Sequence, residues 1–298
     1  MTKIIHIGLG KCGSTFLQQK VLKKIAEKLK INYIKIYNNN FFKIDKSKIQ
    51  FHAFENLKNL EKNLPDQFIM SHDALFSYDW QFSNINKSFE NIRHNFSKDT
   101  VILIVIRDPY DYLNSVYSQM IQAMIEISKP ENFFYYEEIE NKKFNKKFNL
   151  YNFDYLKLIY LYKSYFKKVV VVKYEDLQKL DFIKKIYNLD NDFINELKNN
   201  TSTVVAKSIS KYGVNFILFL NKFFNVIKFQ RFIRRNINPS NNIILKVKNK
   251  ILAQFILRSF FTEKFDKIIP YKKYKIKKKH LPINIDDEIL KYKNMKFD

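Results

Sequence analysis

Glycine is scarce in this chain, and its distribution constrains the fold more than any other feature. The 298 residues include four glycines, and three of them, Gly8, Gly10 and Gly13, fall within six positions. They follow a short apolar run at residues 4–9 and precede residues 16–29, whose apolar positions have helical spacing. Glycine permits positive φ angles and a close approach of backbone N–H groups to another molecule. The order strand, glycine turn, helix therefore predicts an anion site at the start of the helix.

Further apolar runs alternate with helical stretches along the first 200 residues. Residues 32–37, 68–70, 101–106 and 168–173 have the character of strands, and the run 101–106 is apolar throughout, as in a strand buried on both faces. Asp108 and Pro109 can begin a helix over residues 110–127. We therefore predict an α/β fold with three layers, in which helices flank a mainly parallel central sheet.

The second part of the chain has a different character. Residues 212–235 and 243–261 show helical, aromatic and basic patterns, and residues 271–280 contain six lysines. No linker rich in glycine, serine or proline separates the two parts. We predict an α/β core over residues 1–200 that contains the anion site, with residues 201–298 as a helical, basic part packed on the same domain.

Composition excludes several classes of protein. One cysteine rules out a disulfide framework, and five histidines without an H-E-x-x-H pattern do not predict a metal site. The net charge of +24 attracts polyanions. However, Lys, Asn, Ile, Phe and Tyr are all abundant, which indicates a compositional bias, so the charge alone does not predict nucleic-acid binding. The first residues resemble a strand more than a signal peptide, and no run is apolar enough to span a bilayer, so we expect a cytoplasmic protein.

Two standard anion loops match the glycine turn only in part. The Gly8, Gly10 and Gly13 spacing fits the dinucleotide fingerprint, but no acidic residue ends the second predicted strand. Gly8 and Gly13 also have the spacing of the nucleoside-triphosphate loop. In that loop Ser14 would occupy the lysine position, whereas the lysine of this chain is Lys11.

A third loop fits better. Residues 11–16 resemble the 5′-phosphosulfate loop of sulfotransferases that use 3′-phosphoadenosine 5′-phosphosulfate. In those enzymes an arginine ends a buried strand and a serine follows eight residues later; here these are Arg107 and Ser115. A weaker match is the strand near residue 170 followed by Tyr174. The alternative for Arg107 is a structural ion pair with Asp108 or Asp111.

The resemblance implies a fold like that of the P-loop nucleotide-binding proteins and a role for each matching residue. Lys11 would neutralise charge on the leaving oxygen. Arg107 and Ser115 would bind the 3′-phosphate. The 5′-phosphate and adenine contacts would come from the loop and from one tyrosine: Gly13, Ser14, Thr15, Phe16 and Tyr174, with Cys12 at a variable position of the loop. The family requires no metal ion for this chemistry.

An acceptor hydroxyl must lose its proton, so a general base is expected at a strand end. His72 and Asp73 lie where the family places this base. Histidine titrates near neutral pH and is our first choice, while Asp73 aligns with a glutamate found in other members. Both remain candidates.

These observations favour a sulfotransferase that acts on a hydroxyl group of a carbohydrate or glycolipid. One alternative is a nucleotide-dependent kinase of the nucleoside-triphosphate-loop class. The other is a basic binder of nucleic acid or of an anionic membrane surface, which would use residues 216–235 and 272–279. Peripheral contact with an anionic membrane is also compatible with the sulfotransferase, whereas nucleic acid is not an expected partner of it.

Overall fold

The computed structural model describes residues 3–34, 60–72, 75, 82, 85–123, 125–138, 147–187, 189–200, 209–223 and 271–297. In these ranges the chain forms seven strands, which are β1 Lys3–Ile7, β2 Asn32–Ile34, β3 Phe68–His72, β4 Val101–Ile106, β5 Phe134–Tyr135, β6 Phe148–Asn149 and β7 Val169–Lys173. Five of them form one sheet in the order β2-β3-β1-β4-β7, and β5 pairs separately with β6. Every pair of neighbours in the large sheet is parallel.

The helices lie between these strands and after them. They are α1 Ser14–Phe16, α2 Lys23–Leu29, α3 Ile85–Asn95, α4 Pro109–Gln122, α5 Pro130–Phe133, α6 Tyr155–Lys163, α7 Phe182–Ile186, α8 Asn191–Asn200, α9 Lys211–Phe223 and α10 Ile285–Asn294. A π-helical segment, Leu17–Leu22, joins α1 to α2, and short 3₁₀ turns cover Leu60–Asn63, Tyr174–Lys179 and Lys278–His280. Helix α2 packs on β2, α6 on β4 and β7, and α7 on β7.

The central sheet confirms the prediction of an α/β fold with a mainly parallel sheet. Strand β4 lies between β1 and β7, and all six of its residues are buried. A strand covered on both faces has no position for a polar side chain, which is why its sequence is continuously apolar. Strand β7 follows the same pattern with four consecutive valines.

The structure differs from the sequence prediction in the extent or the helix type of several elements. Strand β3 continues through Ser71 and His72, because both residues pair with β1 and are buried. The first long helix contains the π-helical segment, where the Tyr33 hydroxyl donates to the Gln18 carbonyl at 3.3 Å. A side chain that takes a carbonyl from the helical ladder favours such a bulge. Helix α4 ends at Gln122, and its C-cap residue is Ala123.

The strand order creates a switch point at β1. The chain reaches β3 on one side of β1 and then places β4 on the other side. In open parallel sheets the connections on the two sides leave a crevice beyond the carboxyl ends of the strands, and ligands bind there. The glycine turn follows β1 directly, so it lies at the mouth of this crevice.

The C-terminal residues pack against the sheet domain. Helix α10 contacts α4, and Ser210 forms an isolated antiparallel bridge with Lys273. Among the described residues, helices α9 and α10 agree with the predicted helical character, but the stretch 271–277 that precedes α10 is not helical. The predicted helices of residues 224–235 and 243–261 lie outside the described residues. None of the described helices has the length and hydropathy needed to cross a membrane.

A polar group is buried between the sheet and the π-helical segment. The His6 Nδ1 atom lies 2.7 Å from the Ser71 hydroxyl oxygen on the neighbouring strand. Within the described part of the chain, the buried His6 Nε2 has no hydrogen-bond partner. Burial lowers the pKa of His6 to about 3, and burial raises the pKa of the nearby Tyr33 to about 12. His6 is therefore neutral in the folded protein at neutral pH.

This neutral histidine predicts a loss of stability in acid. The unfolded chain binds a proton near pH 6.5, whereas folded His6 does not until about pH 3, so protons favour unfolding between these values. We expect His6 to lower the free energy of unfolding by about 1 kcal/mol between about pH 7.5 and about pH 5.5. Urea unfolding at both pH values measures this, and His6→Gln should remove that part of the pH dependence. The exposed His94 supplies the control, His94→Gln; an unchanged pH dependence in His6→Gln contradicts the assignment.

Candidate functional site

The glycine turn holds two residues with left-handed backbone. Lys11 has φ 68° and Gly13 has φ 81°, and the Gly13 carbonyl accepts a hydrogen bond from Leu17 N as the helix begins. A Cβ atom on Gly13 would lie 2.6 Å from Leu177 Cδ2 and 3.2 Å from the Tyr174 ring. Position 13 therefore requires glycine both for its φ angle and because Tyr174 and Leu177 lie against it.

Arg107 connects this turn to the next strand end. It follows β4, and its Nη1 donates to the Lys11 carbonyl and to the Ser115 hydroxyl oxygen, both at 2.9 Å. Its guanidinium carbon lies 4.5 Å from the centre of the Tyr174 ring, which is a cation–π contact. One side chain thus contacts the loop after β1, helix α4 and the residue after β7.

The acidic residues close to Arg107 in sequence are engaged elsewhere. The Asp108 carboxylate caps α4 by accepting from Asp111 N at 3.0 Å, and Asp111 forms an ion pair with Lys273 at 2.7 Å. In the part of the chain that the structure describes, no ion pair of Arg107 with a carboxylate is found. The structural ion pair considered from the sequence is therefore not formed with Asp108 or Asp111.

Lys11 also approaches helix α4. Its Nζ donates to Gln119 Oε1 at 2.5 Å, so the ammonium lies one turn along the helix from Ser115. Sequence analysis did not identify Gln119. A signal existed, because Asp111, Ser115 and Gln119 recur every four residues as partly exposed positions on a largely buried helix.

The remaining residues of the loop differ in burial and in the direction of their side chains. Ser14 is buried and its hydroxyl donates to the Leu9 carbonyl at 3.0 Å, so this proton closes the loop and is not directed to a ligand. Cys12 is buried completely. Thr15 is exposed, and Phe16 is half-buried against the core.

His72 ends β3 on the other side of the turn. Its side chain is buried, and its carbonyl accepts from Gly8 N at 3.3 Å, which ties the end of β3 to the glycine turn. Its rival for the role of base, Asp73, lies outside the described residues. The choice between them stays open.

The structure thus brings together the residues that sequence analysis selected at three strand ends. They are Lys11, Gly13, Arg107, Ser115 and Tyr174, with Gln119 and Leu177 as additional neighbours. Within the described ranges, no cluster of three or more His, Cys, Asp and Glu side chains could hold a metal ion. Chemically, the site offers an ammonium, a guanidinium and a hydroxyl around a glycine turn, which is a set of donors suited to an anion.

The chain was compared with protein-family models, with curated proteins and with solved structures, and none of them matches it.

The packing at Gly13 predicts a coupled effect of two substitutions. Gly13→Ala should lower the free energy of unfolding by about 2 kcal/mol, from the strained φ angle and from the clash with Leu177. Leu177→Ala should also destabilise, because it removes a buried side chain, by about 2–5 kcal/mol. In the double variant the clash disappears, so its destabilisation should be smaller than the sum of the two single effects. Urea unfolding of the four proteins measures this coupling; strict additivity would contradict the contact.

Proposed function

We propose that this protein is a sulfotransferase that transfers the sulfuryl group of 3′-phosphoadenosine 5′-phosphosulfate to an acceptor hydroxyl. The observation that carries the proposal is the position of Arg107. Its guanidinium lies between the Lys11 carbonyl and the Ser115 hydroxyl and against Tyr174, with no carboxylate partner among the described residues. A planar guanidinium beside a hydroxyl and an aromatic ring suits a phosphate on the ribose of a nucleotide.

The architecture supports a nucleotide site at the same place. The switch point at β1 favours binding beyond the carboxyl ends of β1, β3 and β4. All of the described candidate residues follow or end strands at that edge or lie on helix α4, which begins there. We propose on this basis the three-layer arrangement of the P-loop nucleotide-binding proteins.

The donors present fit the two phosphates of the nucleotide. Ser115 accepts its hydrogen bond from Arg107, so its own hydroxyl proton can be donated to a phosphate oxygen. Both bonds of Arg107 start from Nη1, and its Nε has no hydrogen-bond partner among the residues that the structure describes. At the turn, Gly13 and Thr15 present backbone N–H groups at a helix start, where a 5′-phosphate would be favoured. Phe16 and Tyr174 supply aromatic rings for adenine.

The chemistry of this transfer depends on position and charge. When bound, the donor supplies an activated sulfuryl group with a phosphate as leaving group. Lys11 would then stabilise negative charge on the oxygen that departs, as a preorganised cation does in other displacements. Its backbone is already fixed by Arg107 and its ammonium by Gln119. No metal ion is part of this proposal.

The acceptor proton needs a base on the other side of the turn. His72 ends β3, and β3 and β4 flank β1, so the ends of the two strands are separated by roughly 10 Å. An acceptor hydroxyl in this interval could give its proton to a ring nitrogen of His72. Asp73 is the second candidate. We propose a carbohydrate or glycolipid as the acceptor, and the cytoplasm as the location.

A kinase of the nucleoside-triphosphate-loop class would require a different residue at position 14. A nucleoside-triphosphate loop places a lysine there to reach the β- and γ-phosphates. Here the residue is Ser14, buried and bonded to the Leu9 carbonyl. The absence of a lysine at position 14 therefore counts against the kinase.

Binding of 3′,5′-adenosine bisphosphate tests the proposed nucleotide. The ligand should stabilise the folded chain, by about 2.7 kcal/mol at a hundred times its Kd. Adenosine 5′-monophosphate lacks the 3′-phosphate and should bind more weakly. Ser115→Ala should lower the affinity for the bisphosphate about tenfold or more, because a hydrogen bond to a charged group is lost, and should leave the monophosphate unaffected. Calorimetric titration and thermal unfolding measure both ligands.

Ser118→Ala, which replaces a buried serine of the same helix that is not among the proposed phosphate donors, is the matched control. Stabilisation by ATP with magnesium and none by the bisphosphate would support the kinase. An equal loss of affinity for both adenosine ligands in Ser115→Ala would contradict the assignment of the 3′-phosphate.

Lys11 should matter more to transfer than to folding. A glycine accepts the left-handed backbone of position 11 without strain, so Lys11→Gly should keep the thermal stability of the native chain. Transfer of a labelled sulfuryl group should fall by about 10²–10³, while the affinity for 3′,5′-adenosine bisphosphate should fall less than tenfold. Lys30 has the same backbone region, φ 55°, at the end of α2. Lys30→Gly is thus a matched control and should retain transfer; equal activity of the two variants would exclude a role for Lys11.

A further inference from the structure

Helix α9 presents aromatic rings to solvent. Tyr212, Phe219 and Phe223 are 39%, 53% and 72% exposed, whereas Val214 and Ile217 on the opposite side are buried. At 100° per residue the three exposed rings fall within an arc of about 40°. The rings of Phe219 and Phe223 contact each other, with their centres 4.9 Å apart. Such adjacent, exposed aromatic rings indicate an interaction surface.

Lysines lie on α9 beside these rings and in the segment that is joined to the start of the helix. Lys211 and Lys222 are exposed on α9, beside the aromatic arc. The start of α9 is joined to the lysine-rich stretch 271–279, because Lys211 N donates to the Lys272 carbonyl at 2.6 Å and Ser210 bridges to Lys273. Neither α9 nor the stretch 271–279 contains an acidic residue. We call this the basic aromatic surface; it comprises Lys211, Tyr212, Phe219, Lys222, Phe223, Lys272, Lys275, Lys277 and Lys279.

We propose that the basic aromatic surface attaches the protein to anionic lipid bilayers. Aromatic rings enter the boundary between headgroups and acyl chains, and nearby lysines are attracted to anionic headgroups. The two kinds of side chain lie on one helix face and on the segment bound to its start, as this mode of binding requires. The exposed rings form one narrow band along the helix, which suits burial at the boundary between headgroups and acyl chains.

Attachment to a bilayer would be independent of the proposed enzymatic activity. The candidate site lies at the carboxyl edge of the sheet and on the face of α4 that carries Ser115, and the basic aromatic surface includes none of its residues. Binding to vesicles therefore requires neither nucleotide nor acceptor, and either proposal can fail without the other.

Co-sedimentation of the full chain with vesicles tests the surface. The probes are vesicles of phosphatidylcholine with about 30% phosphatidylserine, and vesicles of phosphatidylcholine alone. We expect at least tenfold stronger binding to the anionic vesicles, and weaker binding as salt is raised. Phe219→Ser with Phe223→Ser should lower binding to the anionic vesicles about tenfold or more.

A second exposed pair provides the matched control. Leu156 and Tyr160 are 50% and 74% exposed, four residues apart on α6, and lie outside the basic aromatic surface. Leu156→Ser with Tyr160→Ser should leave vesicle binding unchanged. The replacement of Lys272, Lys275, Lys277 and Lys279 by Gln should abolish the preference for anionic vesicles. If circular dichroism shows that the phenylalanine variant is unfolded, this lysine variant still tests the proposal.

Three outcomes would overturn the proposal. The first is a native chain that does not sediment with anionic vesicles but binds duplex DNA. The second is vesicle binding that falls equally in the α6 and α9 double variants. The third is a dimer in solution, seen by light scattering, that dissociates when Phe219 and Phe223 are replaced, which would assign the surface to a second copy of the chain.

Discussion

The contacts of the Arg107 guanidinium determine the geometry of the glycine turn. The turn contains a lysine in the left-handed region, which costs about 1–2 kcal/mol relative to ordinary backbone. A hydrogen bond from a charged donor contributes about 1.5–3 kcal/mol, so the bond from Arg107 to the Lys11 carbonyl is sufficient to offset that strain. The same guanidinium holds Ser115 and lies against Tyr174, whose ring lies against Gly13. The shape of the turn is thus set by residues about a hundred positions away.

The sheet was predictable because a parallel strand that is buried on both faces has a continuously apolar sequence. Strands β4 and β7 are continuous apolar runs; the predicted bounds of β4 agree with the structure, and β7 begins one residue later than predicted. The end of β3 was missed because Ser71 and His72 are polar, and their burial depends on the partner strand: Ser71 is paired with His6. The π-helical segment was also missed, since apolar spacing does not separate it from an α-helix.

The candidate site was predictable in part. Arg107 and Ser115 were selected by their spacing, and the structure places them in contact. Gln119 was missed because the four-residue spacing that it shares with Ser115 does not show that this face of the helix meets the glycine turn. The loop motif also could not show that the Ser14 hydroxyl faces inward to the Leu9 carbonyl. A motif fixes which residue types stand near an anion, whereas the direction of each donor depends on tertiary contacts.

Helix α4 relates the candidate site to the C-terminal residues. One face of α4 carries Ser115 and Gln119. Near the start of the helix, the Tyr110 hydroxyl donates to the Ile276 carbonyl, and the Ile276 N–H group donates to Asn114 Oδ1. Asn114 is fully buried, so separation of the C-terminal stretch would leave a buried amide without its partner, which costs about 1–3 kcal/mol. A second link joins Tyr292 of α10 to Glu175, the residue after Tyr174, at 2.5 Å. The C-terminal residues are therefore bound on both sides of Arg107, at α4 and beside Tyr174. Because α4 and the Tyr174 ring both contact the Arg107 guanidinium, a displacement of the C-terminal residues would change the position of that guanidinium.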